Sequence, residues 1–208
     1  MRAASRLLLG LMALLLLPAV SMSARPALWA DDMTLGNPKA KVVVVEYASL
    51  SCPHCARFHN SVFPAFRKQF IDTGKVQFVY REFITSPPEV AVASAVVARC
   101  AGKGGYFKVI EGVFAAQEEI YSVGTIAGLR EVLIREGGKA GLTKAQVEAC
   151  MNDTDLYAAI DARVERGVAE DKVRGTPTFL VNGKTVTTSA ADGEMDLASL
   201  AAAIKAAK

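Results

Sequence analysis

Cys52-Pro53-His54-Cys55 is the stretch of this 208-residue chain in which residue type and spacing point most directly to chemistry. If a helix begins at the first thiol, the second lies about one turn deeper, close enough to bond back to it. A thiol at a helix start meets unpaired backbone N–H groups and the positive end of the helix dipole. Both favour thiolate over thiol, so the pKa of Cys52 should fall. Cys52 is the expected nucleophile that forms a mixed disulfide, and Cys55 the resolving thiol. Pro53 lacks an N–H and stiffens the turn. His54 can donate to the Cys52 sulfur or place positive charge near it, which would stabilise the reduced form and make the disulfide a stronger oxidant. Other uses of two thiols fit less well. Haem attachment needs C-x-x-C-H, and Ala56 follows Cys55. Zinc needs two more ligands, but Cys100 and Cys150 are far along the chain, so no metal is expected. A purely structural disulfide leaves the helix-start placement without a purpose.

The flanking elements support a redox reading. Val42 to Tyr47 is a nearly continuous run of strand formers, as expected of a strand buried on both faces. Ala48 to Ser51 turn the chain, and Pro53 suits the first turn of a helix. Phe58, Val62, Phe66 and Phe70 make its apolar stripe, with Pro64 inside it as a bend. Gly74 ends the segment and Val76 to Phe83 reads as a second strand. From Ser86 to about Val173 the periodicity is helical. Ser86-Pro87-Pro88-Glu89 has capping-box spacing for a helix that runs to Cys100 and stops at Gly102, Gly104 and Gly105. Further helices are expected near 106–117, 125–136, 143–151 and 155–173, with a capping box at Thr143 and Gln146. Strands return at Thr178–Asn182 and Lys184–Thr188, around the hairpin signal Asn182-Gly183. Leu197, Leu200 and Ile204 mark a closing helix.

The chain is 51% hydrophobic and 22% charged, which excludes a disordered polymer. Four Cys are too few for a disulfide scaffold. Arg2 and Arg6 precede an apolar run from Leu7 to Val20 and then small residues, the pattern of an export signal. The run is shorter than the roughly 20 residues that span a bilayer as a helix. Cleavage is expected within residues 21–30, with Ser21, Ser23 and Ala30 as candidates; 31–40 reads as a polar lead-in. A cut after Ala30 removes Arg2, Arg6 and Arg25 and brings the formal charge from +3 to 0. It also removes the single Trp, Trp29, so oxidation would be silent in Trp emission. The basic excess then says nothing of a partner, and nucleic acid is not expected.

Glu46-Tyr47-Ala48-Ser49-Leu50-Ser51-Cys52-Pro53-His54-Cys55 resembles the active-site stretch of the bacterial periplasmic DsbA family. Gly175-Thr176-Pro177-Thr178-Phe179 resembles the cis-proline segment of the wider thioredoxin superfamily. The resemblance covers about residues 40 to 208. It implies an α/β thioredoxin fold, here residues 31–84 and 174–208, with an inserted helical domain over 85–173. It further implies a periplasmic thiol-disulfide oxidoreductase that passes its Cys52–Cys55 disulfide to unfolded, newly exported proteins. Reoxidation would come from a quinone-linked membrane partner of DsbB type; no cofactor beyond the disulfide and a monomeric state are expected. Pro177 would be cis beside the disulfide, and Thr176 would offer backbone hydrogen bonds to an extended substrate.

Glu46 has two readings: an end-of-strand carboxylate reaching solvent, or the buried acid of thioredoxin-like enzymes, which would shuttle the proton of Cys55. Lys75 and Arg81 are its candidate partners. His59, one turn after Cys55, is assigned to the helix face rather than to the chemistry. Cys100 and Cys150 are either buried free thiols or a disulfide, which an oxidising compartment favours. Three functions compete. The first is the oxidase. The second is an isomerase or reductase kept reduced, which Thr176 resembles; the isomerases' N-terminal dimerisation domain finds no room before Val42, and Ser51 stands where the reductases carry Trp. The third is a non-catalytic export chaperone, for which Cys52→Ser would leave function intact.

Overall fold

The computed structural model describes residues 27–207; the apolar run read as a leader, with Ser21 and Ser23, lies outside them. Among the described residues the strands β1 (Met33–Gly36), β2 (Val42–Ala48), β3 (Val76–Glu82), β4 (Thr178–Val181) and β5 (Lys184–Thr185) form one sheet in the order β1-β3-β2-β4-β5. β2 runs parallel to β3 and antiparallel to β4. Every residue of β2 and β3 is buried, as the unbroken apolar run of β2 predicts. The helices are α1 (Pro53–Ser61), α2 (Phe63–Phe66), α3 (Pro88–Cys100), α4 (Gly102–Ala115), α5 (Gln117–Val123), α6 (Ile126–Lys139), α7 (Lys144–Cys150), α8 (Thr154–Glu170) and α9 (Leu197–Ala206).

The two faces of β2 serve different cores. Val42, Val44 and Ala48 pack with α1, α4 and the other inserted helices in the main cluster. Val43, Val45 and Tyr47 join Trp29, Val79, Val173 and Leu180 in a second cluster on the opposite face. α1 breaks at Val62, and α2 restarts with Pro64 in its first turn, followed by a π-helical turn over Arg67–Ile71. Pro64 thus interrupts the apolar stripe, as its missing N–H requires. Thr143 and Gln146 form their capping box at α7. Asn182 and Gly183, both at positive φ, turn the β4–β5 hairpin. The second hairpin strand is only Lys184–Thr185, shorter than the Lys184–Thr188 expected.

Four local expectations need correction. Ser86 does not cap α3. Pro87 takes the extended N-cap conformation and Pro88 the first helical position, so the register is one residue later. α3 does stop where the glycines begin, with Ala101 as its C-cap and Gly102 at φ 61°, but α4 opens at Gly102 rather than near 106, so Gly104 and Gly105 lie inside it. A Cβ on Gly105 would lie 2.7 Å from the Ala101 side chain and 3.0 Å from the Ala140 carbonyl, so this glycine admits a close helix approach. Residues 31–40, read as a lead-in, contain β1, which adds an antiparallel edge strand to β3. α5 is a separate helix that the periodicity does not announce; Gly124 at φ 56° ends it.

Trp29 belongs to the fold. Its side chain is buried, with the Arg81 guanidinium 3.8 Å and that of Arg166 4.4 Å from the ring centroid. Asp32 accepts from the Trp29 backbone N–H and holds Arg81 through both carboxylate oxygens. Arg163 bridges Asp32 to Glu82, and Arg99 also pairs with Glu82. These charges are buried as a mutually satisfied set, so removing one member strands the others. A cut after Ala30 would take Trp29 out of this set, so the expected loss of the only Trp does not agree with the fold. On the far side of the main cluster, Cys100 at the end of α3 and Cys150 at the end of α7 are joined by a disulfide.

Candidate active site

Cys52 is the N-cap residue of α1, with extended backbone (φ −84°, ψ 119°), and Pro53 occupies the first turn. Its sulfur lies 3.5 Å from the Thr176 carbonyl oxygen, on the segment where the Thr176–Pro177 peptide bond is cis. Both thiols are unbonded and buried. Cys55 is one turn along α1 and fully inside the main cluster.

The two sulfurs differ sharply in acidity. Cys52 is lowered to about 5, chiefly because the Cys55 thiol donates a hydrogen bond to its thiolate. Burial opposes this; Thr176 and the backbone N–H groups of Cys55 and His54 add to it. Cys55 is pushed well above the ordinary thiol value, first by burial, then by the adjacent Cys52 and the charge of Glu46. The helix start therefore acts on Cys52 as the spacing predicts, through N–H groups aimed at the sulfur. His54 contributes through its backbone. Its half-exposed ring instead pairs with Glu194, Nδ1 to Oε1 at 2.6 Å, and Arg57 shares the same carboxylate.

Glu46 is buried in the middle of β2, opposite Tyr80 of β3 and Phe179 of β4. It does not reach solvent, and neither Lys75 nor Arg81 is its partner. Arg81 projects to the opposite face of the sheet, as strand alternation dictates, where it pairs with Asp32 and Asp171. The Glu46 partner is His59, with Nε2 2.9 Å from Oε2. The assignment of His59 to the helix face is thus incomplete. It lies at i+4 from Cys55, the spacing that puts two side chains on one face of a helix, and Cys55 is buried on that face.

Two residues of the inserted helices carry no sequence signal of their role. Gln117 of α5 donates to the carbonyls of Leu50 and Cys52, at 3.0 and 3.3 Å, and the Tyr121 hydroxyl donates to the Ser51 carbonyl. α5 thus braces the loop that presents the dithiol. Ser51 further bonds Ser49 and Thr85. Beside Pro177 a groove of about 400 Å³ is lined by His54, Thr176, Val186, Thr188, Glu194 and Met195. On the other flank Tyr121, Val123 and Ile126 expose apolar side chains at the α5–α6 corner. Among the described residues no group of three or more His, Cys, Asp or Glu is placed to hold a metal, and no helix is long and apolar enough to cross a membrane.

A capping thiol beside a cis proline, a second thiol buried one turn deeper and a carboxylate beneath it, all on a sheet with a helical insertion, define a thioredoxin-fold dithiol protein. The chain belongs to the thioredoxin family, whose model, described as "Thioredoxin", matches residues 29–206. It is 35% identical over 153 residues to the "Putative protein-disulfide oxidoreductase" of Rickettsia bellii, a match that covers 74% of this chain and 58% of that protein. The chain therefore spans little more than half the length of such relatives. It is 26% identical over 160 residues to the "Probable disulfide bond formation protein D" of Bacillus cereus, covering 74% of this chain and 72% of that one. The fold resembles the crystal structure of Wolbachia pipientis alpha-DsbA1, with a TM-score of 0.72 and 25% identity over 86% of this chain and 91% of that chain. Chlamydia trachomatis DsbA shares the fold at a TM-score of 0.68 and 18% identity, covering 86% and 93%. These neighbours are DsbA proteins, and the α/β fold with its helical insertion is theirs as well.

Proposed function

We propose that the chain is a thiol-disulfide oxidoreductase of DsbA type that donates its Cys52–Cys55 disulfide to thiols of exported proteins. The observation that carries this reading is the opposed acidity of the two sulfurs, Cys52 lowered to about 5 and Cys55 raised well above the ordinary thiol. A stabilised Cys52 thiolate favours the reduced protein, and a protein that prefers to be reduced is an oxidant. A substrate thiolate attacks the Cys52 sulfur, the Cys52–Cys55 bond breaks, and Cys55 takes up a proton from Glu46. A second substrate thiol then attacks the substrate sulfur of the mixed disulfide. Cys52 leaves as a thiolate, made a good leaving group by its low pKa.

The groove beside Pro177 suits an extended chain that pairs with the Thr176 backbone. Reoxidation requires a disulfide donor, for which a quinone-linked membrane protein of DsbB type is proposed, and a monomer is proposed as the working state. The basic and apolar start of the chain supports export to the periplasm with removal of a leader before Trp29. The Cys100–Cys150 bond is proposed as a structural staple remote from the chemistry. The test is oxidation of a reduced, unfolded substrate by the purified disulfide form. Wild type should oxidise it and Cys52→Ala should not. A Cys52→Ala protein that still oxidises sinks the mechanism. A wild type that only reduces or reshuffles disulfides favours the isomerase or reductase. A Cys52→Ser variant that retains full function favours a non-catalytic chaperone.

A further inference from the structure

We propose that His59 is a positioning residue for the Cys55 half of the reaction: it holds one oxygen of the Glu46 carboxylate and leaves the other to exchange a proton with Cys55. This deepens the oxidoreductase reading above and rests on it. The Glu46 and His59 side chains are 0% and 1% exposed, with Oε2 and Nε2 2.9 Å apart. Glu46 Oε1 has no hydrogen-bond partner, and neither has His59 Nδ1. A buried carboxylate oxygen without a donor is costly, and such a group calls for a purpose beyond packing. Cys55 lies one turn before His59 on the same buried face of α1, which places its thiol proton on the side of the helix that meets Glu46. The charge of Glu46 is also among the causes that raise the Cys55 pKa.

The ring has one orientation open to it. It stacks on Phe114 at 4.4 Å between centroids, leans on Phe63 at 4.7 Å and meets the edges of Phe58 and Tyr80 at 5.5 and 6.0 Å. Carbon surrounds the Nδ1 side and the carboxylate waits at Nε2, so the ring proton on Nε2 donates to Oε2. With that oxygen engaged, the carboxylate cannot rotate freely, and Oε1 stays on offer. The groups that face Glu46 are Cys55 and His59 from α1 and Tyr80 from β3, its register partner. Burial pushes the Tyr80 hydroxyl far above its ordinary range, so it keeps its proton and does not compete as a base.

The step balances without an added reagent. In disulfide donation, a substrate thiolate bonds to the Cys52 sulfur as the Cys52–Cys55 bond breaks, Cys55 leaves as a thiolate and the proton on Glu46 Oε1 passes to the Cys55 sulfur. In the reverse direction, Cys55 gives its proton to Oε1 and its thiolate attacks the Cys52 sulfur of a mixed disulfide. The bond to the partner then breaks, and the partner leaves as a thiolate. His59 gains and loses nothing in either direction.

Two isosteres of the ring separate positioning from mere packing. His59→Gln places an amide nitrogen near the position of Nε2 and cannot act as an acid or base. His59→Asn places its amide near Nδ1 and falls short of Glu46. The formation and decay of the mixed disulfide with a reduced peptide are followed by rapid mixing between pH 5 and 9, alongside alkylation of Cys52. We expect His59→Asn to slow the Cys55 step about tenfold, a fraction of the roughly 10²–10⁴-fold that general acid–base catalysis contributes, because Glu46 itself remains. His59→Gln should recover most of that rate. Cys52 alkylation should be unchanged in both, and His59→Asn should add nothing in a Glu46→Gln background. A His59→Asn protein with a wild-type Cys55 step overturns the proposal. So does an equal slowing in the Glu46→Gln background, or a folded His59→Gln protein as slow as His59→Asn. A wild type that oxidises no peptide at all would instead overturn the oxidoreductase reading.

Discussion

Replacing Cys55 by Ala or by Ser should separate what lowers the pKa of Cys52. The Cys55 thiol is the largest single cause of a pKa of about 5, ahead of Thr176 and the backbone N–H groups. A hydrogen bond to a charged group is worth roughly 1.5–3 kcal/mol, which is roughly one to two pKa units. Cys55→Ala removes that donor and leaves the helix start intact, so Cys52 should rise to roughly 6–7. Cys55→Ser keeps an O–H donor in place and should stay close to the wild-type value. At pH 6 the thiolate fraction would be roughly 90% in wild type and roughly a quarter for a pKa of 6.5. Thiolate absorbance near 240 nm, or the rate of alkylation of Cys52 against pH, reads this directly. If the Ala and Ser variants titrate together at the wild-type value, the Cys55 hydrogen bond is not the cause, and the helix start alone carries the shift. If the wild type itself titrates near the ordinary 9.0, the acidity argument fails altogether.

Three other outcomes are open to measurement. Because the Cys52 pKa is depressed in the folded reduced protein, its contribution to stability is complete above the ordinary thiol value of 9.0 and is lost as pH falls through about 5. Urea unfolding of the reduced form relative to the oxidised form should therefore rise across that window, and a flat difference would contradict the shift. Cys100→Ala with Cys150→Ala opens a loop of sequence separation 50, which should cost about 4 kcal/mol in unfolding while substrate oxidation by Cys52 persists. A chain that starts at Asp31 lacks Trp29 and should be less stable than one starting at Ala27, by about 3–5 kcal/mol, the cost of emptying a buried Trp site; equal unfolding midpoints would show that the Trp29 cluster contributes little.

Local signals are legible where local chemistry decides the outcome. Val42–Tyr47, rich in β-branched residues, reads as a buried strand, Pro53 marks the helix start after Cys52, and Thr143 with Gln146 caps α7 from its own side chains. Asn182-Gly183 turns the hairpin because both residues accept positive φ. The buried site of Glu46 is one of two readings, and strand alternation opposite the helices decides between them. What stays hidden depends on contacts across long separations. Met33–Gly36 is a strand only because β3 offers an edge. Gln117 reaches the carbonyls of Leu50 and Cys52 from far along the chain, and no local pattern announces that bond. Trp29 reads as part of an apolar leader until Arg81, Arg163 and Arg166 surround it from β3 and α8. His59 is nearer to reach, since its i+4 spacing from Cys55 already places it on the buried face of α1. Its partner could not be chosen without the third dimension.

The most direct measurement is the equilibrium of Cys52–Cys55 with reduced and oxidised glutathione. The opposed acidities of the two thiols predict a reduction potential above the range of about −200 to −230 mV seen in glutaredoxins. A potential near thioredoxin's, about −270 mV, would contradict disulfide donation as the working direction.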